Sequence, residues 1–454
     1  MSNDNMKIFR AYDVRGVYGK DITEETAELI GKAFGTFIGS GKTIAVSRDF
    51  RNSGESLKKN FISGIISVGC NVIDIGTTTT PMMYFAVRKY GLDGGVSVTA
   101  SHNPAEWNGF KMTREGGILC SEGFGMEEIK NIFLKRDFNE GENGEVEKKE
   151  ITSDYEEFIL PKIINQRKLK IVLDPGNGAA CFIAEDLFRK AGHQIVVING
   201  EPDGSFSSRP SDPSEENVSK LRETVLKEKA DLGIAFDGDV DRVAFVDDTG
   251  KYVPSGNITI PILSEYYLNR NKNGKIVFDI CCSSFVEEFI KKHEGKPVPS
   301  KVGHSFIMNT LITEGAVFGG EYSNHLYFSE IFGFDDALFA GLKMAEIVAS
   351  KDKKFSDIVA EIPRYPASKV EEILCDDNEK FEAVRRIGEK LKKEGYKIID
   401  IDGVKAFDKN GDWMLIRGSN TLPVIKINSE ARREDRMTEL FEYAKNMVKS
   451  EVST

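Results

Sequence analysis

Hydrophobic and polar positions follow the same order in three stretches of the chain, which span residues 42–75, 169–198 and 274–298. Each stretch has a short apolar run, a polar turn, an amphipathic segment and a second apolar run. In the first stretch, apolar residues recur at helical spacing, at Leu57, Phe61, Ile65 and Ile66. Short apolar runs on both sides of an amphipathic helix predict βαβ units and mostly parallel sheets. The stretches begin more than a hundred residues apart, which indicates repeated α/β domains rather than solenoid units.

The C-terminal part of the chain has a different pattern. A charged helix is predicted over 381–393 and a last helix over 434–448. Three apparent strands lie between them, at 398–401, 414–417 and 424–427. This order of elements predicts a smaller α+β domain.

Candidate linkers separate these units. They are a Glu-rich segment at 139–150, a segment at 250–256 and a Pro-bounded segment at 363–366. Together with the repeats, they predict four domains. The bounds are 1–150, 151–251 and 252–365 for three similar α/β domains and 366–454 for the α+β domain.

Composition narrows the class of protein. Hydrophobic residues make up 40% and charged residues 29% of the 454 residues, which is typical of a folded globular chain rather than a disordered or fibrous one. Lys and Arg total 61 and Asp and Glu total 72, giving a net charge of −11. This acidic balance argues against nucleic acid or an anionic membrane as the main partner. A small anionic ligand would need local Arg, Lys or helix-end amides.

Targeting signals and disulfide patterns also bear on the cellular location. No run of 18 apolar residues occurs, so no membrane span is expected. The first ten residues lack the apolar core of a secretory signal. The six cysteines include no CxxC pair and are scattered except for Cys281 and Cys282. We therefore expect reduced thiols and a cytoplasmic protein.

A polar motif, Thr99-Ala-Ser-His-Asn-Pro104, follows an apolar strand at 95–98 and precedes Asn108-Gly-Phe-Lys111. Ligands of parallel α/β sheets bind at strand ends. Ser101 could therefore act as a nucleophile, with His102 and Lys111 as proton carriers or phosphate donors. The alternative is a Ser/Asn/Pro turn without chemical consequence.

An acidic motif, Asp237-Gly-Asp-Val-Asp-Arg242, lies between two apolar strands. Carboxylates at alternate positions, Asp237, Asp239 and Asp241, can converge on one hard divalent cation. Three like charges this close need neutralisation. An EF-hand would require Gly where Arg242 stands, and helices on both sides of the loop. The alternative is a solvated acidic turn.

Four further segments carry candidate binding groups. The segment 174–181 resembles a dinucleotide-binding turn only poorly, because Cys181 stands at its third small position, and a helix-capping turn is the favoured interpretation. The segment 417–423 suits a phosphate dianion, because Arg and neutral donors are combined there. The segment 319–325 could bind sugar hydroxyls, and the segment 9–16 could bind an anion or bridge domains. The residues concerned in the last three segments are Arg417, Ser419, Asn420 and Thr421; Glu321, Ser323 and His325; and Tyr12 and Arg15. Outside these segments, His304 in 301–304 is a further candidate of low specificity.

These motifs occur in one order, and in that order the chain resembles the α-D-phosphohexomutase family over essentially its whole length. The Thr-Ala-Ser-His-Asn-Pro and Asp-Gly-Asp-x-Asp-Arg motifs are highly specific. The Phe-Arg-Ala-Tyr-Asp-x-Arg-Gly opening and the Arg-x-Ser-Asn-Thr-x-Pro loop favour the phosphomannomutase/phosphoglucomutase branch. The resemblance implies three similar mixed-sheet α/β domains and a smaller C-terminal α+β domain around a central cleft.

The resemblance also implies an activity: interconversion of hexose 1-phosphates and 6-phosphates of mannose or glucose through a 1,6-bisphosphate. It implies Mg²⁺ as cofactor, glucose or mannose 1,6-bisphosphate as activator, and sugar phosphates as partners, and it leaves monomer or homo-oligomer open. Ser101 would be the phosphoserine, and Asp237, Asp239 and Asp241 would hold the metal together with it. The remaining implied roles concern the reacting phosphoryl group (His102, Lys111, Arg242), the cleft (Tyr12, Arg15), the sugar (His304, Glu321, Ser323, His325) and the second phosphate (Arg417, Ser419, Asn420, Thr421).

Two departures from the branch affect the predicted specificity. The usual Glu-Met-Ser-Gly-His loop reads Glu321-Tyr-Ser-Asn-His325 here, so Tyr322 and Asn324 add bulk. A Lys that some relatives carry in the segment 279–283 is absent. Alternatives therefore stay open: a phosphoglucosamine or other sugar-phosphate mutase of the same fold, a non-catalytic sugar-phosphate binding protein, or an NAD-linked oxidoreductase. Lys111 and His102 are both candidates for the general base.

Overall fold

The computed structural model of the chain describes residues 7–254, 256–419 and 422–452. Its strands form four sheets of seven, five, four and five strands. We name the domains I to IV after the sheet that each contains. The three α/β sheets and the separate C-terminal sheet confirm the predicted fold class. None of the helices within the described residues is long and apolar enough to cross a lipid bilayer.

Domain I has the strand order β1-β5-β4-β2-β3-β7, with β6 paired to β5. Its elements are β1 (Val14–Val17), α1 (Glu24–Ile38), β2 (Thr43–Arg48), α2 (Gly54–Ser67), β3 (Asn71–Thr77), α3 (Thr80–Tyr90), β4 (Gly94–Val98), β5 (Trp107–Arg114), β6 (Ile118–Leu119), α4 (Met126–Lys135) and β7 (Val146–Lys148). Strand β7 lies inside the predicted linker at 139–150 and pairs with β3, so part of that linker belongs to the sheet.

Domain II has the order β12-β11-β10-β8-β9. Its elements are α5 (Thr152–Ile159), β8 (Lys170–Asp174), α6 (Ala184–Lys190), β9 (Gln194–Val197), α7 (Ser219–Glu228), β10 (Leu232–Phe236), β11 (Val243–Asp247) and β12 (Tyr252–Val253).

Domain III has the order β14-β13-β15-β16. Its elements are α8 (Gly256–Arg270), β13 (Lys275–Asp279), α9 (Ser284–Lys292), β14 (Lys296–Ser300), α10 (His304–Glu314), β15 (Phe318–Gly320), β16 (Leu326–Phe328), α11 (Ala337–Ser350) and α12 (Phe355–Ala360).

The first three sheets share one arrangement. In each, a central strand lies between two parallel neighbours: β2 between β3 and β4, β8 between β9 and β10, and β13 between β14 and β15. One neighbour then turns into an antiparallel strand, in the pairs β4–β5, β10–β11 and β15–β16. The repeat predicted from the hydrophobic pattern is therefore a repeat of mixed sheets.

Domain IV has five strands where the sequence pattern predicted three. Its elements are β17 (Glu371–Leu374), α13 (Lys380–Lys393), β18 (Lys397–Ile399), β19 (Val404–Phe407), β20 (Trp413–Gly418), β21 (Val424–Glu430) and α14 (Glu434–Val452), in the sheet order β17-β21-β20-β19-β18. Two strands were missed, for different reasons. β17 is a partly exposed edge strand with two Glu residues, and β19 is interrupted by Lys405, which is buried.

The apolar cores show how the domains are joined. One continuous core includes residues of the first three domains, such as Met82, Phe236 and Leu338. Domain IV has a core of its own. It meets domain III through a small apolar cluster that contains Ile280 and Trp413. Domain IV is thus attached through far fewer apolar contacts than join the other three domains.

The turn at 174–178 supports the acidic loop rather than forming a dinucleotide site. A Cβ added at Gly178 would lie 2.8 Å from the carbonyl oxygen of Gly238 and 3.0 Å from its Cα. The amide of Ala179 donates to that carbonyl at 2.9 Å. The absence of a side chain at Gly178 therefore allows the backbone of the acidic loop to pack against this turn.

We expect Gly178→Ala to destabilise the protein by about 1–3 kcal/mol, because the added methyl would meet backbone atoms that cannot rotate away. The measurement is the thermal unfolding midpoint. Gly141→Ala is the matched control, since the Cβ there would have only Ser40 Oγ within 4 Å, at 3.8 Å. Equal midpoints for the two variants would contradict this account of the turn.

Candidate active site

Three loops at equivalent positions of the repeated sheets meet between domains I, II and III. Ser101 lies between β4 and β5, the acidic loop 237–241 between β10 and β11, and the loop 321–325 between β15 and β16. Each loop follows the carboxyl end of a strand that has a parallel neighbour, which is where α/β sheets place ligands. The repeat therefore brings one loop from each domain to a common centre.

Ser101 occupies an unusual backbone conformation at this centre. Its φ is +50°, a region that serine adopts rarely. Its carbonyl oxygen accepts hydrogen bonds from Arg51 Nη2 at 2.7 Å and Ser211 Oγ at 2.9 Å. Its side-chain Oγ donates to Asp237 Oδ2 at 2.8 Å. The buried contacts from domains I and II hold the backbone so that the hydroxyl faces the acidic loop.

The three aspartates of the acidic loop are buried, each at most 1% exposed. Asp237 Oδ1 accepts the amides of Val240 and Arg242 at 3.0 and 3.1 Å, which closes the loop on itself. Asp239 Oδ1 and Asp241 Oδ1 have no hydrogen-bond partner among the described residues. Buried carboxylate oxygens without a donor are costly. One carboxylate oxygen from each of the three aspartates lies within 4.8 Å of the other two, and such a set of oxygen ligands fits a hard divalent cation.

Cationic side chains offset part of this negative charge. Lys111 Nζ donates to Asp239 Oδ2 at 2.7 Å and also to Asp241 Oδ2. Burial, and then the charges of Asp241 and Asp239, raise the pKa of Asp237 well above its usual range. Burial acts in the same direction on Asp241, but Lys111, His325 and Arg242 hold the pKa of Asp241 well below its usual range. Within this loop the pKa is thus raised at Asp237, which lies next to the Ser101 hydroxyl, and lowered at Asp241.

The surroundings of Lys111 and His102, the two predicted candidates for the general base, shift the pKa of each side chain. Burial alone would lower the pKa of Lys111, but Asp239 and Asp241 outweigh it and raise that pKa. The ammonium therefore stays protonated. Arg242, followed by burial, lowers the pKa of His102 far below its ordinary value. An imidazole with so low a pKa is a weak base.

His325 is held in one tautomer by its neighbours. Arg242 Nε donates to His325 Nε2 at 2.7 Å, and His325 Nδ1 lies 2.8 Å from Asp335 Oδ2. Because a guanidinium nitrogen can only donate, Nε2 must be the accepting nitrogen and Nδ1 carries the proton toward Asp335. This gives an Asp–His pair whose Nε2 lone pair faces Arg242 of the acidic loop.

Asp241, His325 and Asp335 form a second group of potential metal ligands, again with atoms within 4.8 Å of one another. Both ring nitrogens of His325 are engaged by Arg242 and Asp335. A metal on this histidine would have to displace one of them. The oxygen-only group at 237–241 is therefore the better cation site.

The loop 321–325 presents a buried carboxylate in a fixed orientation. Glu321 Oε1 accepts from Tyr327 Oη at 2.6 Å, and Glu321 Oε2 accepts from Ser323 Oγ at 3.1 Å. Asn324 has φ +63° and accepts from Thr259 Oγ1 at 2.8 Å through its side chain. The side chain of Asn324, one of the two departures noted in the loop 321–325, is thus directed toward Thr259 of helix α8. Tyr322 is 44% exposed.

The N-terminal candidates lie beside the same centre. Tyr12 contacts the ring of His304 edge to face, with 5.1 Å between centroids. His304 is buried, and neither of its ring nitrogens has a hydrogen-bond partner among the described residues. The centroids of the His304 and His325 rings lie 6.1 Å apart. Arg15 Nη1 donates to Asn103 Oδ1 at 2.6 Å, next to the Ser101 loop.

The candidate phosphate loop of domain IV begins at the end of β20. Arg417 Nη2 lies 3.5 Å from Asp402 Oδ2, and Arg417 Nε has no acceptor within the part of the chain that the structure describes. Ser419 is buried in the same loop. Asn420 and Thr421, the other two predicted residues of this loop, lie outside the described residues.

The structure adds residues that the sequence reasoning did not single out. Asp335 orients His325, Arg51 holds the Ser101 carbonyl, and Thr80 Oγ1 donates to Asp239 Oδ2 at 2.6 Å. The two consecutive aspartates Asp335 and Asp336 follow an apolar segment, and this pattern could have indicated a functional role for Asp335. Arg51 and Thr80 stand in ordinary loop and helix-start sequences. The contacts of Arg51 are formed by the tertiary fold of domain I, and that of Thr80 by the packing of domain I against domain II.

Models of one known protein family match most of the chain. Four sequence profiles of the phosphoglucomutase/phosphomannomutase family match the chain: alpha/beta/alpha domain I at 6–140, domain II at 153–250, domain III at 255–365 and the C-terminal domain at 371–446. The profiles run in the order predicted for the four domains.

Individual relatives match over nearly their whole length. The "Phosphoglucomutase/phosphomannomutase" of Thermococcus kodakarensis is 35% identical over 96% of this chain and 97% of its own. A second protein of that organism, named "Probable phosphoglucosamine mutase", is 34% identical over 98% and 99%. The crystal structure of a phosphoglucomutase/phosphomannomutase family protein from Burkholderia thailandensis superposes with a TM-score of 0.91 at 30% identity, covering 99% of this chain and 98% of that one. The chain belongs to the phosphoglucomutase/phosphomannomutase family.

Proposed function

We propose that the protein interconverts hexose 1-phosphates and hexose 6-phosphates, with mannose or glucose as the hexose, through a phosphorylated Ser101. The observation that carries the proposal is the 2.8 Å contact between Ser101 Oγ and Asp237 in a buried group of three aspartates. A nucleophilic hydroxyl against a hard-cation site is what phosphoryl transfer requires of a protein.

Asp237, Asp239 and Asp241 would hold Mg²⁺ beside Ser101. When bound there, this ion would supply Lewis-acid stabilisation of charge on the phosphoryl oxygens. Lys111 and Arg242 carry positive charge at the same centre. The carboxylate oxygens of Asp239 and Asp241 that accept no hydrogen bond are the ligand atoms that a cation would contact. Arg15 and His102 flank the Ser101 loop.

The proposed reaction is a double transfer. The bond between phosphorus and Ser101 Oγ breaks, and a bond to the free hydroxyl of the sugar monophosphate forms, which gives a hexose 1,6-bisphosphate. The bisphosphate turns over, and its other phosphate returns to Ser101 Oγ as the second sugar hydroxyl is released. In the first step the attacking sugar hydroxyl must lose a proton, and in the second the leaving oxygen must gain one.

We assign the general base that accepts this proton, and later returns it, to His325. Asp335 is the residue that positions the His325 ring. Lys111 is locked as an ammonium between two carboxylates, and the low pKa of His102 makes it a weak base. His325 shares the proton on Nδ1 with Asp335, and its Nε2 accepts from Arg242 Nε. The lone pair on Nε2 would act as the base once Arg242 turns from His325 to the phosphoryl oxygens. The arrangement of a carboxylate behind an imidazole is the common way to fix a base in one tautomer.

Substrate recognition divides between two regions. Glu321 and Ser323, with Tyr12 and His304, would face the sugar hydroxyls. Arg417 and Ser419, followed in the chain by Asn420 and Thr421, would bind the phosphate that is not being transferred. A grip on phosphate alone, with no contact that depends on the rest of the sugar, would accept the substrate in either orientation.

Glucosamine phosphates are the alternative substrates, because one relative of 34% identity carries that name. The two hypotheses differ at the sugar's second carbon, which bears an amino group in one case and a hydroxyl in the other. A parallel measurement of kcat/KM with mannose, glucose and glucosamine phosphates separates them. A mutase with its highest kcat/KM on glucosamine phosphate would replace the mannose/glucose assignment.

We expect Ser101→Ala to lower turnover of hexose 1-phosphate by at least about 1,000-fold, because the group that carries the phosphoryl is lost. Binding of the sugar phosphate should change little. Intact mass after incubation with glucose 1,6-bisphosphate and Mg²⁺ should show one added phosphate on the wild type, mapping to Ser101, and none there on the variant. Ser63→Ala, on the exposed face of α2, is the control and should behave as wild type. Near-normal turnover by Ser101→Ala would refute the nucleophile assignment.

We expect His325→Gln to lower kcat by about 100- to 10,000-fold, the usual contribution of a positioned base. Asp335→Asn should lower kcat by at least about 10-fold, because an amide can no longer hold the same tautomer. Asp336→Asn is the matched control. Asp336 is equally buried, but it bonds Tyr155 and caps helix α11 instead. If Asp335→Asn and Asp336→Asn had the same kcat, the pairing of Asp335 with His325 would have no catalytic role.

A further inference from the structure

A buried lysine of domain IV forms hydrogen bonds to domain III. Lys405 lies on β19 and is 5% exposed. Its Nζ donates to the carbonyl oxygens of Ile280 at 2.9 Å and Cys282 at 2.8 Å, and it sits 4.0 Å from the ring centroid of Trp413. No carboxylate of the described residues lies within ion-pair distance of this ammonium.

A charge buried in this way is expensive unless its bonds compensate for the lost water. Two carbonyls and an indole face do so here, and both carbonyls belong to the other domain. The apolar residues around this contact are few, chiefly Ile280, Trp413 and Leu415. Lys405 is therefore a principal polar contact between two domains that share little core.

The segment that receives Lys405 is itself tied to the sugar loop. Asp279 opens the segment, and its carboxylate accepts from the amide of Cys281 at 2.6 Å and from the amide of Tyr322 at 2.6 Å. Tyr322 is the next residue after Glu321. A continuous set of hydrogen bonds thus runs from β19 of domain IV, through residues 279–282, to the loop that would read the sugar.

The same strand region also lies beside the phosphate loop. Asp402, three residues before Lys405, is 3.5 Å from Arg417 and accepts from the amide of Val302 at 3.0 Å. Val302 is two residues before His304. Arg417 and Lys405 are therefore anchored from neighbouring strands of one sheet, with β19 paired to β20.

We propose that Lys405 is a positioning residue. It fixes the distance between the phosphate-binding loop of domain IV, which begins at Arg417, and the sugar-binding loop 321–325 of domain III. The inference rests on the proposed function, in which one substrate must touch both regions at once. A ligand that spans two sites gains affinity only when those sites are held at the matching separation. A ligand that needs one site alone gains nothing from that separation.

The variant that tests this is Lys405→Met, which keeps the length and apolar packing of the side chain and removes its donors. Lys426→Met is the matched control, because Lys426 pairs with Glu372 inside the same sheet, at 2.9 Å. The first measurement is amide hydrogen exchange over residues 279–283. We expect exchange to be about 10-fold faster in Lys405→Met than in wild type, given the loss of two hydrogen bonds, and unchanged in Lys426→Met.

The second measurement compares a two-ended with a one-ended ligand. We expect Lys405→Met to raise KM for hexose 1-phosphate by about 10-fold, while the inhibition constant of inorganic phosphate stays within about two-fold of wild type. Both constants should stay at the wild-type value in Lys426→Met. Thermal unfolding midpoints report on overall folding. If Lys405→Met fails to fold, Lys405→Gln replaces it; the amide is a neutral and shorter donor group, so KM should shift less, in the same direction.

Unchanged exchange and unchanged KM would overturn the inference. So would a parallel rise of KM and the phosphate inhibition constant, since that would mean damage to the phosphate grip itself. Failure of the proposed function would look different, because the wild type would then turn over none of the hexose phosphates. In that case, unaltered exchange at 279–283 in Lys405→Met would refute the role of Lys405 in holding domains III and IV together, and faster exchange would support it.

Discussion

Three buried carboxylates within one tight loop are the interaction on which the rest of this structure depends. Asp237, Asp239 and Asp241 come from domain II, as does the neighbouring Arg242, but two of the groups that donate to their carboxylates, Lys111 and the Ser101 hydroxyl, belong to domain I. Like charges at this density are stable only beside opposite charge. The domains must therefore dock for the loop to be tolerated, and the docking brings the Ser101 hydroxyl against Asp237. The continuous apolar core of domains I to III supplies the stability that this electrostatic arrangement does not.

Repetition of one sheet explains how a single centre can draw on three domains. The loops after β4, β10 and β15 occupy the same place in each sheet, where a parallel strand turns into an antiparallel one. Each has taken a different chemistry: a hydroxyl, a set of carboxylates, and a mixed polar loop. Arg242 and His325 join the last two across the domain boundary at 2.7 Å. The candidate active centre is thus built from loops at equivalent positions of the three sheets, which differ in length and in side-chain chemistry.

The sequence was informative where chemistry is encoded locally and silent where it depends on packing. The alternating aspartates and the serine loop could be identified because their spacing within one segment already implies convergence. The helices and strands of the repeats followed from their apolar periodicity. Lys405 broke the apolar pattern of β19 and hid that strand, although the lysine is buried through contacts with another domain. Asn324 looked like added bulk in the sugar loop, but it adopts a left-handed conformation and bonds to Thr259. No local pattern distinguishes an inward from an outward side chain there.

The unequal attachment of the domains has a consequence for a substrate that must be held by both ends. Domains I to III share one core, so the geometry among Ser101, the aspartates and His325 is fixed by many contacts. Domain IV keeps its own core, and its position relative to the sugar loop depends on a small apolar cluster and a few polar bonds. Small changes in those bonds can move domain IV, with the loop proposed to bind phosphate, without disturbing the contacts of Ser101 and the aspartates. Substitutions at the boundary between domains III and IV can therefore alter the position of domain IV while the contacts among Ser101, the aspartates and His325 stay unchanged.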